Sequence, residues 1–329
     1  MRIRRLLGVA LLLALGIAGY AIFRLTRPYR GFSEPIFVDL PHGTSTASIG
    51  AALANAGVVE SRWDFWLARL VERNRKPQAG EYRFEKAATP LEIFDRLARG
   101  DIFYYQLVVP EGKNMFDIGA LAESLGVFSA RDFVAAARNP ALIRDLDPQA
   151  PTLEGYLFPS SYRLKRHATP EQLCRLMTAK FREVWHGLHA RSAPHETVTL
   201  ASLVEKEGKL APERPVIAAV FENRLKIGMK LDCDPTTIYA ALLDGRYNGV
   251  IHRSDLDSDN AYNTYRHKGL PPGPIANPGL PSLKAVLEPA TSEALYFVLR
   301  PDGSGGHEFS QTIAAHQEAT ARYRRGLQR

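Results

Sequence analysis

Two carboxylates, Glu205 and Glu207, close the apolar run "TLASLVEKE" (199–207). Helical residues advance by about 100° each, so side chains two apart diverge by about 200° and the pair cannot serve one centre. A lone glutamate at the end of an apolar helix suits glycosidic chemistry. Burial raises its pKa, and the protonated acid can then deliver a proton to a leaving oxygen. Helical phasing does not choose between them. Glu205 follows Ala201 and Val198 on one line of the helix, and Glu207 follows Leu203 and Leu200 on another. The glutamate that is not the acid is expected in an ion pair with Arg214 or Arg224. Downstream, the stretch from Tyr262 to Leu283 is dense in proline, glycine, asparagine and tyrosine. It reads as the wall of a substrate groove and not as a core element.

Other chemistries fail on residue type and spacing. "DGSGGH" (302–307) lacks the Lys-Ser/Thr of a phosphate loop, and its surroundings read as a hairpin turn. "DLDSDN" (255–260) starts like a calcium loop but has Asn260 where glycine is required and Arg266 where glutamate is required. His195 in "HETVT" has no second histidine four residues on, which excludes a zinc-protease helix, and no G-x-S-x-G elbow presents a serine. The two cysteines, Cys174 and Cys233, are far apart; they imply neither a zinc site nor a disulfide framework, though one bridge is sterically open to them. No cofactor is called for. The net charge of +7 is scattered among 35 acidic residues, without the basic stripe that nucleic acid requires.

The elements that must position the acid belong to an α+β chain of 329 residues with an N-terminal anchor. The uncharged run from Leu6 to Phe23 nearly crosses a bilayer at 1.5 Å per residue, and is longer than the apolar stretch of a cleaved signal peptide. Residues 1–5 are then a cytoplasmic tail, 6–23 a single transmembrane helix and 24–35 a linker, with the remainder outside the inner membrane. Arginines flank the run on both sides, so charge barely orients it. Residues 36–140 contain an internal echo at an offset of 69 residues, "VDLPHGTSTASIGAALANAGVV" against "LVVPEGKNMFDIGALAESLGVF". Each copy reads as strand, Pro-x-Gly turn, short helix and glycine stop. "GEYRFEKAATPLEIFDRLARGD" reads as a third strand-turn-helix piece. Residues 141–329 form a larger mixed α+β region, with helices from Pro170 to Leu188, Val198 to Glu207 and around Ala218 to Leu225, then a hairpin around "RPDGSGGH".

"EGYLFPSSY", "ASLVEKE", "VFENRLKIGMKLDCDPTTIYA", "AYNTY", "GLPPGPIANPG", "SLKAVLEPA" and "GGHEFSQTIAAHQ" together resemble the YceG-like (MltG-type) family of endolytic murein transglycosylases. Ser160, Ala315 and Gln317 depart from the family's usual residues. The resemblance implies a membrane-anchored enzyme that cuts MurNAc-GlcNAc bonds in peptidoglycan and leaves 1,6-anhydro ends. It implies a LysM-like module over 36–140, a lysozyme-like helix-end acid in the catalytic region, and a peptidoglycan synthase as a plausible partner. Laying the helix-terminal glutamate of lytic transglycosylases and goose-type lysozymes on this stretch favours Glu207 as the acid, with Glu205 second. Tyr262, Asn263, Thr264, Tyr265, Asn223, Arg224 and Asp234 are the expected substrate-side residues, each with a groove-holding role as the alternative. Two rival readings stay open: a hydrolase in which Asp232 or Asp234 activates water, and a non-catalytic wall-binding tether.

Overall fold

The computed structural model describes residues 2–190 and 192–326, and the chain divides into two compact units between Tyr104 and Tyr105. The outer limits of the expected tail and catalytic region, Met1 and 327–329, lie outside the described residues. In the first unit, α1 (Arg2–Thr26) carries the apolar run with its side chains exposed from Leu6 to Phe23, save a half-buried Ala21. By length and composition it can cross a membrane. Its last turn is different: Leu25 enters a hydrophobic core, and Arg24 makes a bidentate pair with Asp64 (3.0 and 2.7 Å). Next along the chain are β1 (Ile36–Leu40), α2 (Thr46–Asn55), α3 (Arg62–Val71), β2 (Gly80–Phe84) and α4 (Pro90–Arg99). β1 and β2 pair antiparallel, Ile36 opposite Phe84 and Leu40 opposite Gly80, and their alternation sends Val38, Leu40, Tyr82 and Phe84 into the core.

The second unit begins with the same grammar: β3 (Tyr105–Val108), α5 (Met115–Ser124), α6 (Ala130–Ala137), β4 (Ser161–Leu164) and α7 (Pro170–Gly187). The internal echo is therefore longer than its first half suggests. "YRFEKAATP" in β2 and the approach to α4 is answered by "YRLKRHATP" in β4 and the approach to α7. Thr89 and Thr169 both cap the following helix, each in a reciprocal capping box with Glu92 and Gln172. The piece read as a third unit is thus the second half of the first copy. Residues 105–140, expected to end a module shared with 36–104, belong instead to the second unit, because β3 takes β4 as its partner (Tyr105 opposite Leu164). Between the helix pair and the return strand the first copy has residues 72–79 and the second has 138–160.

Beyond α7 come α8 (Pro194–Glu207), α9 (Arg214–Lys226), α10 (Asp234–Leu243), the single turn α11 (Arg253–Leu256), α12 (Leu280–Leu287), the hairpin β5 (Tyr296–Leu299) with β6 (His307–Ser310), and α13 (Ile313–Gly326). Helix α8 is buried at every residue from Thr197 to Val204 and packs on α9, α10 and α12. The loop from Gly273 to Gly279, expected to be a groove wall outside the core, is almost wholly buried. Its backbone is satisfied by side chains: Ile275 N–H donates to Ser202 Oγ (3.0 Å) and Gly279 N–H to Glu205 Oε2 (3.0 Å). A loop can lie in a core when its polar groups are met in this way.

The two copies share one steric device. A Cβ on Gly50 would come 2.9 Å from the Arg62 carbonyl oxygen, and one on Gly119 would come 3.0 Å from that of Ala130. Glycine lets the two helices of each copy cross closely. Alanine would add up to about 1 kcal/mol of helix propensity at these positions, yet the clash should win. Gly50→Ala and Gly119→Ala should each lower stability by about 1–3 kcal/mol in thermal unfolding. A gain in melting temperature would show that the crossing has slack.

Candidate active site

The end of α8 separates the two glutamates as the phasing requires. Glu205 turns inward: its Oε1 pairs with Arg214 Nη2 at 2.9 Å, and its Oε2 caps α12 through Gly279 N–H. Arg214 also donates from Nε to the Gly208 carbonyl (3.1 Å), closing the turn after the helix. The ion pair expected for one of the glutamates is thus made by Glu205. Glu207, on the other side, is half-buried, and among the described residues no arginine is bound to it. Burial raises its pKa, the nearby charge of Asp234 adds to the effect, and His307 and Arg224 oppose it.

The hydrogen bond on the Glu207 carboxyl comes from Cys233, whose thiol donates to Oε1 at 3.2 Å. Complete burial raises the pKa of Cys233 well above the usual thiol value, which keeps the sulfur protonated and therefore a donor. Cys233 precedes α10 and comes directly after Asp232, whose φ of 45° lies in the left-handed region. Its backbone N–H donates to Thr264 Oγ1 (3.0 Å), which in turn meets Thr236 Oγ1 (2.9 Å). Both cysteines are free, so the open disulfide is not made.

The expected substrate-side residues separate into two groups. Asn263 is fully buried, and its amide holds the carbonyls of Asp255, Leu256 and Ser258. Thr264 is buried against Cys233 and Thr236, so neither it nor Asn263 reaches toward solvent or the Glu207 carboxyl. Asn223 holds the Ser292 and Ala294 carbonyls, and Arg224 the Leu231 and Leu295 carbonyls beneath the Tyr296 ring. These four shape the loops. Asp234 is exposed and accepts from the Tyr265 hydroxyl at 2.6 Å, while Tyr262 packs on Tyr239 with ring centroids 5.1 Å apart. Tyr262, Tyr265 and Asp234 therefore keep a face toward solvent.

A second acid escaped notice in the sequence, although it stands in "EGYLFPSSY". Glu154 is completely buried in the segment that only the second copy carries. Its carboxylate accepts from Met115 N–H (2.9 Å), Tyr239 OH (3.1 Å) and Asn277 Nδ2 (2.6 Å). Asn277 completes the node by accepting from Leu157 N–H and donating to the Lys113 carbonyl. This ties α5, the 154–157 turn, α10 and the buried 273–279 loop together behind the site. The missed signal was a charged residue inside an aromatic, otherwise apolar segment. His195, already unfit for zinc, pairs with buried Asp147 at 2.8 Å.

Known proteins resemble this chain as a whole. A family model described as the YceG-like family matches residues 38–322. A Bacillus subtilis protein named endolytic murein transglycosylase is 31% identical over 307 residues, covering 87% of this chain and 84% of its own. A Streptococcus pneumoniae protein of the same name is 29% identical, covering 80% of this chain and 54% of its own length, so the chain spans about half of that relative. A solved structure described as a yceG-like protein from Listeria monocytogenes is 29% identical and superposes with a TM-score of 0.55 over 87% of this chain and 99% of its own.

Glu154 yields a test of the scaffold. Burial raises its pKa from 4.5 to about 7 against the pull of its three donors. The folded state therefore holds a proton that the unfolded state releases, so stability falls as pH rises from about 4.5 to 7, by roughly 3 kcal/mol for a shift of this size. Glu154→Gln should flatten that slope. It should also lower stability at every pH, because its amide would face a donor. Unfolding curves across this range check both, and an unchanged slope would place the titration elsewhere.

Proposed function

Since this chain belongs to the YceG-like family, we propose that Glu207 is the catalytic acid of an endolytic lytic transglycosylase that cleaves MurNAc-GlcNAc bonds in peptidoglycan glycan strands. What supports the assignment is the contrast between the two glutamates: Glu205 is neutralised by Arg214, whereas burial shifts Glu207 toward the protonated form that can give a proton. The protonated Glu207 donates to the glycosidic oxygen as the C1–O bond breaks. Its carboxylate then takes the proton from the MurNAc C6 hydroxyl as that oxygen bonds to C1, closing the 1,6-anhydro ring and returning the acid to its starting state. No water is consumed, and one carboxyl serves both transfers.

The raised pKa extends activity toward higher pH, since the working form is protonated; above it the rate falls as Glu207 ionises. Cys233 acts against this by donating to the ionised form, and it fixes the carboxyl's direction. Tyr262, Tyr265 and Asp234 are proposed to meet the sugar. The strand-helix-helix units are proposed to be LysM-like and to hold glycan, and α1 to anchor the chain in the inner membrane with the catalytic unit outside. A peptidoglycan synthase is proposed as a partner on the resemblance alone.

Digestion of purified peptidoglycan followed by mass spectrometry should yield 1,6-anhydro-MurNAc ends; reducing MurNAc ends would instead establish the hydrolase. Glu207→Gln should lose about 10²–10⁴-fold in rate with its melting curve unchanged. Glu205→Gln should keep turnover but melt lower, because it leaves buried Arg214 with only the longer pair to Glu111 at 3.6 Å. An active Glu207→Gln beside a folded, dead Glu205→Gln would reverse the roles. A reporter enzyme fused to the C-terminus should work only outside the cytoplasm.

A further inference from the structure

Helix α3 presents an apolar aromatic face that no described residue of the first unit covers. Trp63 and Trp66 are 58% and 47% exposed, with Leu70 and Val71 continuing the same side. Their i, i+3, i+7 spacing puts Trp63, Trp66 and Leu70 on one stripe, opposite Phe65 and Ala68, which are buried in the core. The two indoles pack edge to face with centroids 6.4 Å apart, and the Arg62 guanidinium lies over Trp63 at 5.0 Å. Arg62 and Arg69, seven residues and about two turns apart, lie along one flank of the stripe, and exposed Arg73 follows the end of the helix.

The position of this stripe is set by α1. The apolar run ends at Phe23, and the next residue, Arg24, is locked to Asp64 in the first turn of α3 and reaches Glu60 at 3.3 Å. Leu25 is buried in the same core. The helix that leaves the bilayer thus enters the first unit rigidly, with no slack linker between them. If the run from Leu6 to Phe23 fills the hydrocarbon layer, the first turn of α3 stands within a side chain's length of its edge. That is the headgroup zone, where indole rings gather and arginines meet lipid phosphates.

We propose that the Trp63/Trp66/Leu70 face of α3 is inserted in the outer interface of the same bilayer that α1 crosses, with Arg62, Arg69 and Arg73 toward anionic headgroups. The proposal rests on α1 being a membrane span. It makes the first unit a lipid-seated collar about the exit of the span.

The chain contains three tryptophans, and the third, Trp185, is buried in the other unit, which gives a direct readout. The full-length protein is reconstituted into phosphatidylcholine/phosphatidylglycerol vesicles whose acyl chains carry bromine either near the headgroup or near the chain end. Flotation after an alkaline wash is scored on the same sample. Tryptophan emission should be quenched, more by the shallow bromines, and the W63F/W66F double variant should lose that quenching while keeping the Trp185 signal. Because both positions are exposed, its melting curve should match the parent's. Protein that floats yet stays unquenched overturns the proposal and leaves the anchor standing. Protein that does not float removes the anchor itself. Quenching that survives in the double variant, or indoles shielded from an aqueous quencher by soluble glycan or by cross-linking to a second copy, assigns the face to another occupant and overturns it too.

Discussion

Helix α8 is buried at every residue from Thr197 to Val204, and a helix so placed cannot end in two carboxylates turned to the interior without answering for both. An ionised carboxylate in an apolar interior must be paired or must take up a proton. The chain pairs one and shifts the other toward the protonated form. Arg214 comes from the start of α9 to neutralise Glu205, and the same guanidinium closes the turn after the helix. Glu207 is left with a thiol, a donor too weak to hold a full negative charge. The difference in partners, set two residues apart, makes one glutamate a bracket and leaves the other as the proposed acid.

The surroundings of α8 answer that requirement. The loop from Gly273 to Gly279 must lie against the helix to donate Gly279 N–H to Glu205 and Ile275 N–H to Ser202 Oγ. A buried loop needs its own polar groups met, and Asn277 meets them by bridging the 112–115 turn, the 154–157 turn and the Glu154 carboxyl. Glu154 is another buried acid, and its donors only partly offset the desolvation that raises its pKa.

The repeated strand-helix-helix-strand-helix unit shows how one local grammar serves two purposes. Both copies keep the glycine at the helix crossing and the capped Thr-Pro helix start. The second copy differs by the long segment 138–160 before its return strand, and that segment brings Glu154 to the back of the site. The first copy receives α1 into its core and turns its aromatic face outward.

Much of this was legible in the residues. The apolar run of α1, the Pro-x-Gly turns, the Thr-Pro helix starts and the closing hairpin are local rules, written in contiguous residues and obeyed by the fold. The divergence of Glu205 and Glu207 is equally local, a consequence of helical pitch. Which glutamate is paired was not, because Arg214 was one of two candidates and its reach to Glu205 depends on how α9 leaves the turn at Gly208. Nor was the burial of the proline-rich loop, whose composition resembles a surface segment until Asn277 and Ser202 are brought to it from distant parts of the chain. The division at Tyr104 was hidden for the same reason, since β3 takes its partner from residues 161–164. Sequence determined the local turns, caps and helices it marks and the divergence of the two acids; only tertiary structure decided the partners, because desolvation and pairing act between residues that the chain keeps far apart.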